Sequence, residues 1–252
     1  MNTKDTTDTR KQGDPIGRLN FPRLLNARDL GGLRTRNGGR TREKAFLRTD
    51  DLYKLTPEGA RALLAYGVTT VVDLRWPQEL EARPAPFRGG SGNVRYAHVS
   101  LLDGSEKAWT AKAPGVPKER WNCAVLDHSG KEIVEVLRTI ADAPSGVVLF
   151  HCAAGKDRTG VIAAMLLFAA DVEPSEIAAD YAISTDFIKD AYLAAHPRES
   201  WDAVLEDVRC PPEQIYNMIA HLDSRYGGAL EYLREAGLSG SEIARIWSRL
   251  LS

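Results

Sequence analysis

The stretch VVLFHCAAGKDRTGVIAAMLLF, residues 147–168, places a short polar loop between two apolar runs. The first run, VVLF, is short and wholly apolar, which is typical of a strand buried on both faces. The second run, TGVIAAMLLFAAD, has the length and composition of a buried helix. Between them, Cys152 and Arg158 stand in a C-x5-R spacing. The stretch therefore predicts a strand, a tight loop that begins at a cysteine, and a helix that follows at once.

This loop predicts an anion site around Cys152. A tight loop that leads into a helix N-terminus aims several backbone N–H groups at one point, which suits a phosphate. Gly155 allows the turn without a steric penalty, and Arg158 supplies a planar fork that can bind two phosphate oxygens. The same positive field favours the thiolate form of Cys152, which is the nucleophilic form. The loop is thus arranged for attack of sulfur on phosphorus.

The residues around Cys152 fit the same chemistry. Thr159 can donate a hydroxyl hydrogen bond to the sulfur and ease its departure, and His151 can orient the loop. Lys156 adds a second cation at the rim, where it could contact a second phosphate, and Asp157 could orient the arginine or act on water. The predicted phosphate-binding set is His151, Ala153, Ala154, Gly155, Lys156, Asp157 and Thr159.

The segment FHCAAGKDRTG, residues 150–160, resembles the P-loop signature of the cysteine-dependent protein tyrosine phosphatase superfamily. Its GKDRTG part further resembles a bacterial branch of tyrosine and dual-specificity phosphatases, some of which also act on phosphoinositides. NARDLGGL at residues 26–33 and YGGALEYLREAGLSGSEIARI at residues 226–246 match the same branch. The resemblance therefore spans about residues 19–250.

The resemblance implies a two-step phosphatase mechanism with no metal and no cofactor. Cys152 attacks phosphorus, Arg158 stabilises the charge on the equatorial oxygens, and an acid protonates the leaving oxygen. Water then hydrolyses the cysteinyl-phosphate. The expected substrate is phosphotyrosine in proteins, with phosphoserine, phosphothreonine and phosphoinositides as alternatives.

The identity of the acid stays open. The best-known tyrosine phosphatases carry a mobile W-P-D loop, but here the Trp-Pro of residues 76–77 is followed by Gln78, which cannot donate a proton. The first candidate is Asp73, because the carboxyl end of a parallel strand faces the ligand crevice and related bacterial enzymes have a corresponding DLR. Asp157 is the second candidate and Asp103, in SLLDG, is the third.

Several charged residues also have structural interpretations. Asp73 could form an ion pair with Arg75 near the sheet edge, and Arg75 could pair with Glu79 at i and i+4. Arg28 and Asp29 are expected to bridge their loop to the sheet, with direct substrate contact as the lesser alternative.

Outside the loop, strands alternate with helices and a helical tail follows. This order predicts an α/β fold with a central, parallel-rich sheet flanked by helices, and a helical C-terminal part. Residues 103–130 have little periodicity and predict a long surface excursion. That excursion, or the helices near residues 180–225, could form a lid over the thiolate. The predicted strands are 44–49, 68–75 and 94–101, and the further helices are 56–67, 129–142 and 173–184.

Composition narrows the class of protein. The 252 residues carry a formal net charge of −1, so no overall basic field is expected to recruit nucleic acid or an anionic membrane. No apolar run approaches the roughly 20 residues of a membrane helix, and no secretory signal is visible. Residues 1–17 are expected to be disordered and residues 18–252 to form one catalytic domain. The sequence does not predict an oligomeric state.

The cysteines indicate a reducing compartment. Cys123, Cys152 and Cys210 are odd in number and widely spaced, which argues against a disulfide framework and against a zinc site. A cytoplasmic location is therefore expected, with export without a visible signal left open.

Two other classes of protein compete with the phosphatase. A pseudophosphatase would bind phosphorylated partners without turnover, but such a module usually lacks the nucleophile or the arginine. A sulfur transferase or an arsenate reductase would also place a thiolate in an anion loop, but it would not explain the matching N- and C-terminal segments.

Overall fold

The computed structural model describes residues 17–89, 93–102 and 104–251. The predicted disordered tail therefore lies, apart from Gly17, outside the described residues, and so does the acid candidate Asp103. Within these ranges the strands form one sheet of five in the order β1-β2-β5-β3-β4. β1 is antiparallel to β2, and the other neighbours are parallel. The strands are β1 Arg28–Asp29, β2 Phe46–Thr49, β3 Val68–Asp73, β4 Arg95–His98 and β5 Val147–His151.

Helices cover both faces of this sheet, so the predicted α/β fold with a parallel-rich sheet is confirmed. Two short 3₁₀ turns, Leu52–Lys54 and Lys118–Arg120, supplement the helices. The helices are α1 Pro57–Tyr66, α2 Pro77–Ala82, α3 Glu106–Lys112, α4 Trp121–His128, α5 Gly130–Ala141, α6 Asp157–Ala169, α7 Pro174–Ala182, α8 Ser184–Ala195, α9 Trp201–Val208, α10 Glu213–Tyr226, α11 Ala229–Glu235 and α12 Gly240–Leu250. None of the helices in the described ranges is both long and apolar enough to cross a lipid bilayer.

Alternation along the strands divides the core into two layers. Leu47 and Leu149 belong to a smaller cluster on the side of α1, whereas Phe46 and Phe150 belong to a larger cluster on the side of α5 and α6. Successive strand side chains point to opposite faces, so a continuous apolar strand must be covered on both sides. The apolar run of residues 147–150 therefore lies at the centre of the sheet.

Helix α6 is buried on all sides, as its composition predicts. Every residue from Arg158 to Leu167 is buried, and α6 contacts β2, β5 and helices α4, α5, α7, α11 and α12. A helix enclosed in this way cannot shift without disturbing the core. The loop of residues 152–156 is therefore held between two buried elements, β5 and α6.

The region 103–130 differs from its prediction. Instead of a surface excursion, it contains α3, the turn Lys118–Arg120 and α4, and it buries Trp109, Cys123 and Val125. The prolines and glycine at residues 114–117 interrupt the chain, so neither helix is long enough to give a clear period. α4 instead forms part of the larger core cluster.

The strand register brings several polar residues to one edge of the sheet. His151 on β5 pairs with Thr49 on β2 on one side and with Asp73 on β3 on the other. Because these strands are parallel, their carboxyl ends meet at the same edge, and the loop after β5 begins there. Asp73 therefore ends β3 next to His151, the residue directly before Cys152.

Candidate active site

The loop after β5 is held open from behind by hydrogen bonds to its carbonyl groups. The carbonyl oxygens of residues 153, 154 and 155 accept from Asp51 N at 3.0 Å, Asn26 Nδ2 at 3.0 Å and Arg48 Nη2 at 2.8 Å. In a planar trans peptide the N–H points away from the preceding C=O. The N–H groups of residues 154–156 therefore point away from these anchors, which gives the predicted concave nest for an anion.

Gly155 is required by this packing. Its φ of +67° lies in the left-handed region, and a Cβ built on it would lie 2.4 Å from the carbonyl oxygen of Thr49. No side chain fits at that distance from backbone, so the close approach of the loop to β2 depends on glycine.

Cys152 and His151 lie at the base of the nest and are almost fully buried, Cys152 being 2% exposed. The Nδ1 atom of His151 lies 3.2 Å from the Cys152 carbonyl oxygen, and its Nε2 atom lies 3.6 Å from Asp73 Oδ2. These positions support an orienting role for His151. The buried Thr159 hydroxyl has no hydrogen-bond partner within the described residues, so the predicted bond to the sulfur is not formed in this conformation.

Arg158 is held by two groups that sequence reasoning did not assign to it. Its Nη1 and Nη2 atoms donate to Glu79 Oε2 at 2.5 Å and Oε1 at 3.0 Å. Its guanidinium carbon lies 4.5 Å from the centre of the Trp76 ring. Glu79 uses one N–H from each terminal nitrogen, which leaves the side of the fork that includes Nε for a phosphate. The guanidinium is thus oriented by an ion pair on one side and an aromatic face on the other.

The Glu79 carboxylate is ionised in this pair. Burial raises the pKa of Glu79, but the hydrogen bonds and charge of Arg158 outweigh burial and hold the pKa below its usual value. The predicted pair of Glu79 with Arg75 is therefore replaced by a pair with Arg158. The signal lay in WPQE itself: Trp76 N donates to Glu79 Oε2 at 2.8 Å, so the first turn of α2 aims Glu79 back at the loop.

Asp73, the first candidate for the acid, lies in a buried ion pair. Arg75 Nη2 donates to Asp73 Oδ2 at 2.6 Å, and the Tyr96 hydroxyl donates to the same oxygen at 2.8 Å. Burial raises the pKa of Asp73, but His151 and Arg75 more than reverse this and hold the pKa far below its usual range. A carboxylate that stays ionised has no proton to donate. These contacts favour the structural ion pair over the acid.

Asp157, the second candidate, lies at the start of α6 and is partly exposed. Its Oδ1 atom accepts from the Tyr181 hydroxyl at 3.1 Å, and its Oδ2 atom lies 3.4 Å from Lys156 Nζ. With 31% of its side chain exposed, Asp157 has access to solvent that Asp73 lacks. Solvent therefore reaches the carboxylate of Asp157, whereas that of Asp73 is enclosed.

A buried network behind the loop gives Arg28 the structural role that the sequence indicates. Arg28 Nε donates to Asp180 Oδ1 at 2.7 Å, and Arg48 donates to Asp180 Oδ2. Burial raises the pKa of Asp180, but the two arginines outweigh it and the net pKa is lowered. Arg48 also donates to the Gly155 and Lys156 carbonyl oxygens. Asp180 on α7 therefore fixes the position of Arg48, and Arg48 in turn anchors the loop. Arg28 thus joins its loop to α7.

The C-terminal end of α9 contacts the loop, and Tyr192 on α8 lies within electrostatic range of Lys156 and Cys152. Lys156, expected at the rim, is 7% exposed, and its Nζ donates to the Asp207 carbonyl oxygen at 2.5 Å. Lys118 Nζ donates to the same oxygen at 2.9 Å, and Arg209 Nη2 donates to Glu119 at 2.8 Å. The C-terminal end of α9 therefore lies against the loop, and the turn at 118–120 holds that end.

Sequence comparison assigns the chain to a family. A profile of the tyrosine phosphatase family matches residues 19–252. The chain belongs to the tyrosine phosphatase family. The resemblance drawn from the loop is thereby confirmed, and this member carries the cysteine and arginine on which the cysteine-dependent superfamily relies.

Two curated relatives are similar along most of their length. A tyrosine-protein phosphatase of Nostoc commune is 35% identical over 223 residues, which is 82% of this chain and 74% of the relative. The triple specificity protein phosphatase PtpB of Mycobacterium tuberculosis is 27% identical over 279 residues, which is 92% of this chain and 98% of PtpB.

Two crystal structures of Pseudomonas aeruginosa TpbA also align with this member. The first has a TM-score of 0.41 at 15% identity, covering 79% of this chain and 99% of TpbA. The second, in complex with phosphotyrosine, has a TM-score of 0.42 at 17% identity, covering 79% of this chain and 98% of TpbA.

Proposed function

We propose that this member of the tyrosine phosphatase family hydrolyses phosphotyrosine in proteins through a cysteinyl-phosphate on Cys152. The observation that carries the proposal is the loop itself. Its carbonyl oxygens at residues 153–155 are anchored from behind, which turns the N–H groups of residues 154–156 the other way, and the Arg158 fork is held by Glu79. The names of the two curated relatives support the substrate class, and the word triple in the name of PtpB supports a wider range of phosphate esters.

The first step transfers the phosphoryl group to sulfur. The Cys152 thiolate attacks phosphorus, the bond from phosphorus to the tyrosine oxygen breaks, and that oxygen takes a proton from an acid. The loop N–H groups and Arg158 stabilise the negative charge on the three equatorial oxygens. In the second step the conjugate base takes a proton from water, the resulting hydroxide attacks phosphorus, and the S–P bond breaks to return the thiolate and release phosphate.

We assign the acid to Asp157. It directly follows the loop, at the start of α6, and reaches solvent, whereas Asp73 is closed in by Arg75 and Tyr96. Asp73 is instead a positioning residue, which holds His151 and Arg75 at the sheet edge. Asp103 lies outside the described residues and has no assigned role.

Leaving-group dependence distinguishes the acids. An acid matters most for a poor leaving group, so Asp157→Asn should lower kcat for phenyl phosphate by about 100-fold and for p-nitrophenyl phosphate much less. Asp73→Asn should lower both rates equally, and Asp223→Asn, on the exposed face of α10, serves as the control. If Asp73→Asn shows the leaving-group dependence and Asp157→Asn does not, the assignment is reversed.

Helices α8 and α9, which lie beside the loop, must move to admit a protein substrate. Cys152 is 2% exposed and Arg158 is 9% exposed in the closed form. We propose that these helices are a lid, which also protects the thiolate from oxidation. Hydrogen exchange in residues 184–208 should change when phosphate binds, and an unchanged exchange map in that segment would count against the lid.

A chelator experiment tests the mechanism as a whole. Hydrolysis of p-nitrophenyl phosphate should persist in EDTA and disappear in Cys152→Ser. Burial raises the pKa of Cys123 and raises that of Cys210 to about 11, so these thiols are poor nucleophiles at neutral pH. Cys123→Ser and Cys210→Ser should therefore keep the activity. Activity that EDTA removes, or that survives in Cys152→Ser, contradicts the proposal.

We also propose that the enzyme works in the cytoplasm. All three cysteines are free thiols, as a reducing compartment favours. Cell fractionation with an antibody against the chain tests this, and recovery from the culture medium would contradict it.

A further inference from the structure

The carboxyl group of Asp157 is held on one side by a buried tyrosine. The hydroxyl of Tyr181, on α7, donates to Asp157 Oδ1 at 3.1 Å. Tyr181 is 1% exposed, whereas 31% of the Asp157 side chain reaches solvent. One carboxyl oxygen therefore faces the protein interior. The other, Oδ2, is left to carry the proton that goes to the leaving group.

Packing fixes the ring of this tyrosine. A Cβ built on Gly160, in the first turn of α6, would lie 2.7 Å from Tyr181 Cδ2, so the ring packs directly against the helix at the glycine. The preceding residue, Asp180, is held by Arg28 and Arg48. Burial, and next the charge of Asp157, raise the pKa of Tyr181 well above its usual value. The hydroxyl is thus held beside the start of α6 and stays protonated at neutral pH.

A buried glutamine lies on the far side of the same hydroxyl. Gln214, in the first turn of α10, is 1% exposed, and its Oε1 atom lies against the Tyr181 hydroxyl. Its buried Nε2 atom has no hydrogen-bond partner within the described ranges. A phenol has one proton, so Tyr181 cannot donate to Gln214 and Asp157 at the same time. A half-turn of the amide, which keeps its shape, lets the unpartnered N–H₂ group donate to the Tyr181 oxygen and leaves the phenol proton to Asp157.

We propose that Tyr181 and Gln214 are positioning residues for the acid, in a chain of hydrogen bonds that runs from Gln214 through Tyr181 to Asp157 Oδ1. The inference rests on the proposed function, because it takes Asp157 as the acid. A bond to Oδ1 stops the carboxyl group from rotating, so that Oδ2 presents its proton to the leaving oxygen. In the first step the Oδ2–H bond breaks and that proton passes to the leaving oxygen, while Tyr181 keeps its own proton. In the second step water returns a proton to Oδ2.

Phenyl phosphate and p-nitrophenyl phosphate are a matched pair for the test, since only the first has a leaving group that depends strongly on the acid. The readout is the ratio of kcat/KM for phenyl phosphate to kcat/KM for p-nitrophenyl phosphate, with each variant at its own pH optimum. Tyr181→Phe should lower this ratio about tenfold, the loss expected for one charge-assisted hydrogen bond. Gln214→Met should lower the ratio in the same direction. Tyr216→Phe, at an exposed tyrosine of α10, should leave it unchanged.

A double variant separates positioning of the acid from general support of the fold. In an Asp157→Asn background the acid is absent, so Tyr181→Phe should no longer change the ratio. If Tyr181→Phe lowers both kcat/KM values by the same factor, or lowers the ratio equally in the Asp157→Asn background, the inference is overturned. If a thermal melt shows that Tyr181→Phe is unfolded, Gln214→Met decides alone, and an unchanged or raised ratio overturns the chain of hydrogen bonds. A wild type that hydrolyses neither compound refutes the proposed function, whereas an active wild type whose ratio is insensitive to Tyr181→Phe refutes only the positioning role.

Discussion

Replacing Glu79 with glutamine should lower kcat/KM for p-nitrophenyl phosphate by roughly 10- to 100-fold. Glu79 accepts two hydrogen bonds from Arg158, at 2.5 and 3.0 Å, and its side chain is only 18% exposed. Glutamine has almost the same shape. It keeps one oxygen acceptor, but it turns an N–H₂ group toward an N–H of Arg158, where neither can accept. The guanidinium therefore loses one charge-assisted bond and its neutralising charge.

The magnitude follows from that loss. A hydrogen bond to a charged group contributes about 1.5–3 kcal/mol, and each 1.4 kcal/mol corresponds to a factor of ten. Trp76 still packs against the guanidinium at 4.5 Å, so Arg158 stays near the loop and part of its function survives. Because the arginine acts most strongly on the charge of the transition state, the change should fall mainly on kcat.

The assay compares Glu79→Gln with Glu81→Gln, an exposed glutamate on the same helix. Steady-state kinetics at neutral pH give kcat and KM, and a thermal melt shows whether each variant is folded. We expect Glu81→Gln to match the wild type. If folded Glu79→Gln retains kcat/KM within twofold of the wild type, then Glu79 does not orient Arg158 and the reasoning is refuted.

Two further predictions concern the support of the loop. Gly155→Ala should abolish activity, because its Cβ would lie 2.4 Å from the Thr49 carbonyl oxygen; binding of vanadate should be lost in parallel, and retained binding would contradict the close packing. Asp180→Asn should destabilise the fold by about 3–5 kcal/mol, since it leaves Arg28 and Arg48 buried without a counter-charge. The pKa of Asp180 is lowered in the folded state, so its stabilisation exists above the unfolded pKa of about 3.9 and is lost as pH falls. Urea unfolding at several pH values gives the free energies of unfolding of the wild type and of Asp180→Asn. The difference between them should shrink below about pH 4, and a difference that is independent of pH would contradict this.

The reactive centre was predictable because its information is local. A short apolar strand, a glycine-containing loop and an apolar helix are contiguous in residues 147–168, and each has its own signal. The rule that parallel strands end at one edge also accounts for the position of Asp73 next to His151. The same rule could not give the protonation state of Asp73. That state depends on hydrogen bonds that Asp73 accepts from Arg75 and from Tyr96 on the neighbouring strand.

The partner of Arg158 was not predictable in the same way. Glu79 lies 79 positions away along the chain, and the spacing of Arg75 and Glu79 offered a local pair. The fork of Arg75 is instead occupied by Asp73 and Asp51. Ion pairs between distant segments produce no periodic pattern in the sequence. The sequence therefore shows which residues are charged but not which of them pair.

The lid contacts were harder still to foresee. Lys118 and Lys156 bind carbonyl oxygens of the α9 backbone, and every residue type presents the same carbonyl. A backbone acceptor therefore has no sequence signature. Helices α3 and α4 are also hard to predict, because they are short and Pro114 and Pro117 interrupt the chain between them.

The anion nest depends on residues that lie outside the motif that names it. Asn26, which holds the Ala154 carbonyl, is 128 positions away, and Arg48, which holds the next carbonyl, is itself fixed by Asp180 from α7. These anchors point the loop carbonyls backward before any substrate arrives, so the peptides of the loop itself need no reorientation when a phosphate binds. The C-x5-R spacing therefore supplies the reacting groups, and the surrounding fold supplies their electrostatic field. It follows that the sequence NAR near the N-terminus, although it contacts no reacting atom, belongs to the active site as much as the cysteine does.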